Sequence, residues 1–209
     1  MRPRAENVPT YLDQLVRYNK ILQQRNALLR QMKMSGNHDT GVLQILDEQL
    51  SEAGHAIHAT RMLFVERFRP VFNDYYRFLS GDQEEASMTY TSALSDTSML
   101  ELLRGSLQKD LALQYTSTGI QKDDLELSLN GYPVRKIGSQ GQQKSFVLAM
   151  KLAQFEIMRQ ESGMKPLLLL DDIFDKLDIR RTTKLMELVS RDTFGQIFIS
   201  DTSAEHISA

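Results

Sequence analysis

The sequence contains no cysteine, and none of its apolar runs approaches the roughly 20 residues that a membrane-spanning helix needs. The absence of cysteine excludes disulfides, thiolate zinc sites and cysteine nucleophiles, and it fits a reducing compartment. Residues 1–7 are followed by no apolar segment, which predicts that there is no signal peptide. We therefore expect a cytoplasmic protein that does not contact a membrane.

The sequence also lacks a strong net charge. It has 25 Lys and Arg residues against 27 Asp and Glu residues, which gives a net charge of −2 over 209 residues. A chain of this charge has no overall attraction to nucleic acid, so any DNA contact requires a local basic face. The length is sufficient for one or two domains with a hydrophobic core.

Two short segments about one helix apart point to a ligand site. Residues 166–170 form an apolar run that ends in Asp171 and Asp172, as in a buried parallel strand that presents carboxylates at its C-terminal edge. Upstream, Ser139, Gly141 and Gln142 belong to a turn that opens a helix. A hydroxyl and unpaired N–H groups at the positive end of a helix dipole favour an anion, and phosphate is the anion we expect.

These segments resemble those of a known family. Residues 139–143 resemble the signature motif of ATP-binding cassette ATPases, and residues 167–172 resemble their Walker B strand. The order of several further segments is similar to the C-terminal half of the RecF family of bacterial DNA replication and repair ATPases, in the SMC-like branch; these segments are residues 18–29, 118–127, 138–153, 168–178 and 195–200.

The resemblance implies an α/β fold. It would be the C-terminal half of a cassette-type ATPase head, with parallel strands and flanking helices, joined to an antiparallel helical arm. We assign the arm to residues 1–82 and the head to residues 83–209. No glycine in the sequence is followed by lysine, so the phosphate-binding P-loop is absent. We expect the chain to be the C-terminal portion of a RecF-like protein and, alone, to be unable to bind ATP tightly or hydrolyse it.

The resemblance also implies roles for the acidic residues. Asp171 would hold the Mg²⁺ of Mg-ATP through water, and Asp172 stands where related ATPases carry the Glu that orients the attacking water. A strand-end Asp that caps the next helix is the structural alternative. Asp178 matches the D-loop that crosses the dimer interface, and an N-cap of the following helix fits it equally well. Ser200 and Asp201 occupy the switch region, and Asp201 fits a surface loop equally well.

The signature residues would act in trans. In the cassette family, Ser139, Gly141 and Gln142 would contact the γ-phosphate of ATP held by the other subunit, so that ATP joins two heads in a homodimer. An ordinary helix N-cap without a ligand is the alternative. Residues 119–124 match a further element of the family for which the sequence offers no physical account.

A DNA contact would use the basic residues of the first arm helix. These would touch phosphates without reading sequence, and binding would weaken with salt. An ordinary solvated helix face fits these residues equally well, because Glu48, Glu52 and Glu66 lie on the same arm. The candidates are Arg17, Lys20, Arg25, Arg30 and Lys33, with Arg61, Arg67 and Arg69 on the partner helix.

The function implied by the resemblance is ATP-dependent dimerisation on double-stranded DNA and at single-strand/double-strand junctions. It would support recombinase loading with RecR and RecO, DNA replication and the SOS response. A non-enzymatic module that binds DNA or a protein partner is the first alternative. A phosphohydrolase that uses Asp171 and Asp172 with a metal is the weakest, because the sequence places no nucleophile near them.

Periodicity and turn signals predict the elements. We expect a helix over residues 11–34 with Leu12, Leu15, Val16, Leu22 and Leu29 on its apolar face. A second helical stretch, 42–79, should kink or break near Arg69 because of Pro70. The remaining predictions are strands at 87–91, 125–129, 166–170 and 196–200, a return strand beginning at Pro133, and helices at 98–114, 142–159 and 179–190.

Overall fold

The computed structural model describes residues 10–36, 40–171, 177–190 and 194–200. Its longer helices are α1 (Tyr11–Ser35), α2 (Gly41–Ser80), α3 (Met99–Leu113), α5 (Gln140–Ser162) and α6 (Ile179–Val189), and α4 is a single turn (Val134–Ile137). The strands are β1 (Ala86–Thr91), β2 (Asp124–Leu129), β3 (Tyr132–Pro133), β4 (Leu168–Leu170) and β5 (Ile197–Ile199).

The chain divides into two compact units that are not continuous in sequence. The first comprises residues up to Phe64 together with Tyr90–Leu125, and the second comprises Val65–Thr89 together with residues from Glu126 onward. Helix α2 contributes residues to both units. The division into an arm of residues 1–82 and a head of residues 83–209 stays a prediction about domains.

The core of the first unit lies between α1, the first part of α2, and α3. It is built from apolar side chains that these helices bury together: Tyr18, Ile21, Leu50, Ala53, Ile57, Met99, Leu103 and Ile120. Helix α1 begins with a capping box in which Thr10 and Asp13 satisfy each other's backbone N–H groups. The apolar face predicted for α1 is wrong at two positions, since Leu12 and Val16 are 67% and 61% exposed. The buried face instead contains Arg25, a polar residue that a hydrophobic pattern cannot select.

The sequence predicted a kink or a break near Pro70; the break is wrong, because α2 runs through this residue as one helix of 40 residues, and the kink stays a prediction. An internal proline costs a helix about 3 kcal/mol or more. Phe68, Phe72 and Tyr76 lie at four-residue intervals on either side of Pro70 and are each at most 7% exposed. Their burial on one face offsets the cost of the missing hydrogen bond.

The core of the second unit contains an aromatic cluster and a parallel strand pair. The ring centroid of Phe146 lies 4.5 Å from that of Tyr76 and 5.4 Å from that of Phe72. Strands β4 and β5 pair in parallel, with Leu168 opposite Ile197 and Leu170 opposite Ile199. Both strands and the α/β character predicted for this region are therefore confirmed. Leu168 and Leu170 of β4 are buried.

Strands β1, β2 and β3 form a three-stranded sheet in that order. The hairpin turn is as predicted, since Asn130 and Gly131 both have positive φ, at 50° and 80°. The return strand is not, because β3 ends after two residues and α4 follows at Val134. Proline cannot donate a ladder hydrogen bond, and Val134 is buried at the start of α4, which explains the early end of the strand.

None of the helices in the described ranges is both long enough and apolar enough to cross a lipid bilayer.

Candidate functional site

Ser139 caps the N-terminus of α5, where the sequence predicted an anion site. The Ser139 hydroxyl accepts from the Gln142 N–H at 3.3 Å, and the Gln142 side-chain oxygen accepts from the Ser139 N–H at 2.8 Å. Gln140 and Gly141 occupy the first two helical positions, whose N–H groups have no acceptor within an α-helix. Ser139 and Gln140 are exposed and Gly141 is half-buried, so a ligand can approach the turn from solvent. The geometry combines a hydroxyl, open N–H groups and the helix dipole.

Gly138 fixes the direction in which the chain enters α5. A Cβ atom at this position would lie 2.6 Å from the Val134 carbonyl oxygen and 2.9 Å from a Val134 methyl carbon. The Gly138 N–H donates to the same Val134 oxygen at 2.8 Å. Only glycine allows this close approach between α4 and the start of α5, and the approach places Ser139 at the cap.

Asp171 and Ser200 meet at the C-terminal edge of the parallel strand pair. The Ser200 N–H donates to the Leu170 carbonyl oxygen at 3.0 Å, which extends the pairing of β4 and β5. The Ser200 hydroxyl donates to a carboxylate oxygen of Asp171. The pairing therefore brings together one residue predicted for the metal and one predicted for the switch, which lie 29 positions apart in the sequence.

The other predicted residues of these two segments, Asp172 and Asp201, lie outside the described residues. Asp178, the predicted D-loop residue, is the N-cap of α6. Its carboxylate accepts from the Arg181 N–H at 2.8 Å. The capping role is therefore observed, while the role at a dimer interface stays a prediction.

The oxygen atoms of Asp171 and Ser200 fit a hard cation. Mg²⁺ prefers carboxylate and water oxygens, keeps most of its waters and takes only one or two protein carboxylates. No group of three His, Cys, Asp or Glu side chains suited to a metal occurs in the part of the chain that the structure describes.

Glu84 joins the start of α5 to two other helices of the second unit. Its carboxylate accepts from the Tyr76 hydroxyl at 2.6 Å, from the Gln142 amide at 3.0 Å and from the Arg181 guanidinium at 2.6 Å. Burial raises the pKa of Glu84, but the hydrogen bonds from Tyr76 and Gln142 and the charge and hydrogen bond of Arg181 lower it more, so that the pKa lies below its ordinary value. Burial beside this carboxylate raises the pKa of Tyr76.

Neither Glu84 nor Arg181 was among the site residues predicted from the sequence. The two residues are 97 positions apart, and neither belongs to a motif or to an apolar pattern. A polar contact between distant segments leaves no periodic signal in a single sequence. The pair could be found only once the fold had brought the segment between α2 and β1 next to α6.

The predicted DNA-contact residues do not share one environment. Arg25 is wrong as a phosphate contact, because it is 0% exposed and its guanidinium is held by Asp47, Asp110 and Thr116 at 2.6 to 2.9 Å. Arg17 is exposed and pairs with Glu52 at 2.6 Å.

The remaining candidates on α1 are available to a ligand. Lys20, Arg30 and Lys33 are exposed, and phosphate contact stays a prediction for these three. On the second helix, Arg61 is partly buried and donates to Asp123 at 2.8 Å.

Residues 119–124 have a structural role. Gly119 has a φ of 115°, and Ile120 after it is 2% exposed in the core of the first unit. The Tyr18 hydroxyl donates to the Gln121 side-chain oxygen at 2.6 Å. Asp123 accepts from the Arg61 guanidinium at 2.8 Å and from the Tyr90 hydroxyl at 2.5 Å. The segment therefore ties α1, α2 and β1 together within this unit.

A parallel strand pair with an acidic tip, preceded by a helix that is capped by a Ser-x-Gly-Gln turn, defines one half of an ATP-binding cassette-type ATPase head. Comparison with known proteins gives the particular family. The chain is 48% identical over 200 residues to the DNA replication and repair protein RecF of Flavobacterium johnsoniae, which covers 96% of the chain and 56% of that relative. It belongs to the RecF family and corresponds to the C-terminal portion of its members.

Other comparisons agree with this assignment. RecF of Parabacteroides distasonis is 44% identical over 197 residues, with 94% of the chain and 53% of the relative covered. RecF of Porphyromonas gingivalis is 46% identical over 200 residues, with 95% and 54% covered. The chain thus spans about half the length of the curated relatives it matches. No family model matches the chain.

The fold agrees with solved structures of the same family. Two structures described as the recombination mediator protein RecF in the RecFOR pathway, one with ATP and one with ATPrS, match with a TM-score of 0.78 and 30% identity. Each match covers 93% of this chain and 54% of the solved chain.

Proposed function

We propose that this chain supplies the trans-acting half of a composite ATP site in a RecF-type DNA repair protein of the cytoplasm. The complete protein forms an ATP-dependent homodimer on double-stranded DNA and at single-strand/double-strand junctions. It acts there with RecR and RecO in recombinase loading, and it serves replication and the SOS response. This chain provides the signature turn, residues 139–142, and the acidic edge of the strand pair at Asp171. Turnover by the complete protein is slow.

The observation that carries this proposal is the contact between Asp171 and Ser200 at the edge of the parallel pair. Cassette-type chemistry needs a carboxylate for the metal and a polar group for the γ-phosphate at one sheet edge. Pairing of β4 with β5 brings a carboxylate and a hydroxyl to one sheet edge, which supports this arrangement. Asp171 would hold Mg²⁺ there, and Asp172 would orient the attacking water.

The start of α5 would contact the nucleotide of the other subunit. Ser139 would donate its hydroxyl to the γ-phosphate, and the N–H groups of the first turn, including that of Gly141, would add to the binding. A Mg²⁺ ion held by Asp171 would neutralise charge on the transferred phosphoryl group. The Ser139 hydroxyl oxygen can keep accepting from the Gln142 N–H while its own hydrogen is donated to phosphate.

An exposed apolar face of the second unit supports the need for additional sequence. Leu169 and Phe198 are 65% and 50% exposed on the parallel pair, and Leu167 beside them is 62% exposed. Parallel strands are normally covered on both faces. We infer that in RecF-type proteins the remaining half of the sequence, which carries the P-loop, covers this face.

Reconstitution in two pieces tests the proposal. The 209-residue chain is mixed with the P-loop half of a RecF relative, and ATP turnover is measured against ATP concentration. We expect turnover with both pieces and none with this chain alone. Ser139→Arg should abolish the turnover, because it removes the capping hydroxyl and places a long charged side chain where the phosphate would bind. Ser139→Thr should preserve the turnover because the capping hydroxyl remains.

Gln154→Arg is the matched control, because it adds the same charge to an exposed position of the same helix. It should leave turnover unchanged. Absence of turnover in the mixture, with DNA binding retained, would contradict the ATPase proposal and favour the non-enzymatic module. Micromolar ATP affinity of the isolated chain would contradict the requirement for a second half.

A further inference from the structure

Two chains of hydrogen bonds, which both include Arg181, join the signature turn to α6 and its cap residue Asp178. The first route runs through Ser145, whose hydroxyl accepts from the Arg181 guanidinium at 2.7 Å and donates to the Gly141 carbonyl oxygen at 2.9 Å. Ser145 is 1% exposed, so this contact is shielded from water.

The second route runs through Glu84. One carboxylate oxygen of Glu84 accepts from both Arg181 and Gln142, and the Gln142 side chain in turn accepts from the Ser139 N–H at 2.8 Å. The other oxygen accepts from Tyr76 near the end of α2. The side chains of Glu84 and Arg181 are 15% and 11% exposed. Glu84 therefore holds the signature turn, α6 and the last turns of α2 at one point.

Arg181 also contacts the cap of its own helix. Its Nε atom lies 3.3 Å from the Asp178 carboxylate, which accepts the Arg181 N–H as well. One guanidinium thus touches Asp178, Ser145 and Glu84. Arginine suits this position because its planar group presents several donors in a fixed arrangement, whereas lysine offers one flexible charge.

We propose that Glu84 and Arg181 are positioning residues that hold the Ser139–Gln142 turn and the Asp178 cap as one rigid surface for the nucleotide of the other subunit. The inference rests on the proposed function and names the residues that act through Ser139 and Asp178. Without the pair, the capping box would still form, but its orientation relative to α6 would no longer be fixed. A contact with the γ-phosphate requires that orientation.

Loss of the pair should therefore weaken the response to ATP more than it weakens the fold. Arg181→Lys keeps the charge but cannot reach Ser145, Glu84 and Asp178 together. It should raise the ATP concentration for half-maximal turnover in the two-piece mixture about tenfold, as expected for the loss of charge-assisted hydrogen bonds. Glu84→Gln keeps one acceptor oxygen and should have a smaller effect than Glu84→Ala.

Arg159→Lys is the matched control. Arg159 lies on α5 and pairs with Glu156 at 2.7 Å, but it contacts neither the turn nor α6. This variant should leave the ATP dependence unchanged. Thermal unfolding of each variant shows whether it folds, and Glu84→Gln provides a second test if Arg181→Lys does not.

Amide hydrogen exchange in the chain alone gives a readout that needs no ATP. Exchange at Ser139 and Gln142 should accelerate about tenfold in Arg181→Lys and stay unchanged in Arg159→Lys, because Arg181 restrains the turn through Ser145 and Glu84 and Arg159 does not. Equal exchange and equal ATP dependence in the two variants would overturn the positioning role. A wild-type mixture without turnover would instead overturn the composite ATP site and, with it, this role.

Discussion

The Arg25 guanidinium lies 2.7 Å from the Asp110 carboxylate, and both side chains are 0% exposed. Asp47 lies 2.6 Å from the same guanidinium. Asp110 also accepts from the N–H and the hydroxyl of Ser117, at 2.9 and 2.7 Å. A buried charge network of this kind holds α1, α2 and α3 in one arrangement, because any displacement would leave a charge without its partner.

We expect Arg25→Met to destabilise the fold strongly. Removing one member of a buried pair leaves uncompensated charge on Asp47 and Asp110, which costs about 3 to 5 kcal/mol. Urea unfolding followed by circular dichroism measures the change. Arg30→Met is the control, because Arg30 is exposed on the same helix and its replacement should change stability by less than about 0.5 kcal/mol. Equal effects of the two variants would contradict the network.

Arg25 also shows where sequence reasoning about α1 was limited. The existence of the helix follows from local signals, and it is confirmed. Its buried face does not, because a hydrophobic pattern assigns arginine to solvent. The partners of Arg25 lie 22, 85 and 91 positions away, and only the folded chain brings them together.

Gly119→Ala should destabilise the first unit by about 2 kcal/mol or more. Gly119 has a φ of 115°, and a Cβ atom there would lie 2.7 Å from both the Met99 methyl carbon and the Tyr18 hydroxyl oxygen. The substitution therefore adds backbone strain and a steric clash. Thermal unfolding of the purified variant measures the loss.

Gly105→Ala is the matched control for this substitution. Gly105 lies within α3, and a Cβ atom at this position would meet nothing within 4 Å. Alanine is favoured over glycine inside a helix by about 1 kcal/mol, so this variant should be more stable than the wild type. A Gly119→Ala protein as stable as Gly105→Ala would show that the segment tolerates a side chain.

Acid should weaken the first unit through His58. Burial lowers the pKa of His58 below 6.5, with further lowering by His55 and Arg61, although the charge of Asp123 acts in the opposite direction. The unfolded chain therefore binds the proton more readily, and stability falls as the pH drops from 6.5 toward the folded-state pKa. His58→Gln should reduce this decline in the free energy of unfolding when urea unfolding is measured between pH 7 and pH 5. The variant no longer takes up the roughly one proton that His58 binds on unfolding.

His55→Gln is the control, since His55 is exposed one helical turn earlier. The decline with pH should persist in this variant. The same decline in both variants and the wild type would mean that other groups cause it. Tyr90, whose ring lies 5.5 Å from that of His58, does not compete in this range, because burial raises its pKa to about 12.

The candidate site was partly predictable for a clear physical reason. Ser139, Gly141 and Asp171 stand at the ends of regular elements, where a cap residue or a carboxylate after an apolar run has a local signature. Glu84 and Arg181 have none, because their contacts join segments that are distant in sequence. The same distinction explains the error at β3, where burial of Val134 overrides the hairpin pattern.

The exposed basic residues of α1 should determine the salt dependence of DNA binding. Lys20, Arg30 and Lys33 are exposed, and each phosphate contact contributes about 0.9 to the slope of log K against log salt on duplex DNA. We expect Lys20→Gln and Arg30→Gln each to lower the slope by about one when fluorescence anisotropy is measured on a gapped duplex. Lys151→Gln, at an exposed position of α5, should leave it unchanged. Equal slopes for all three variants and the wild type would place the DNA contact away from α1.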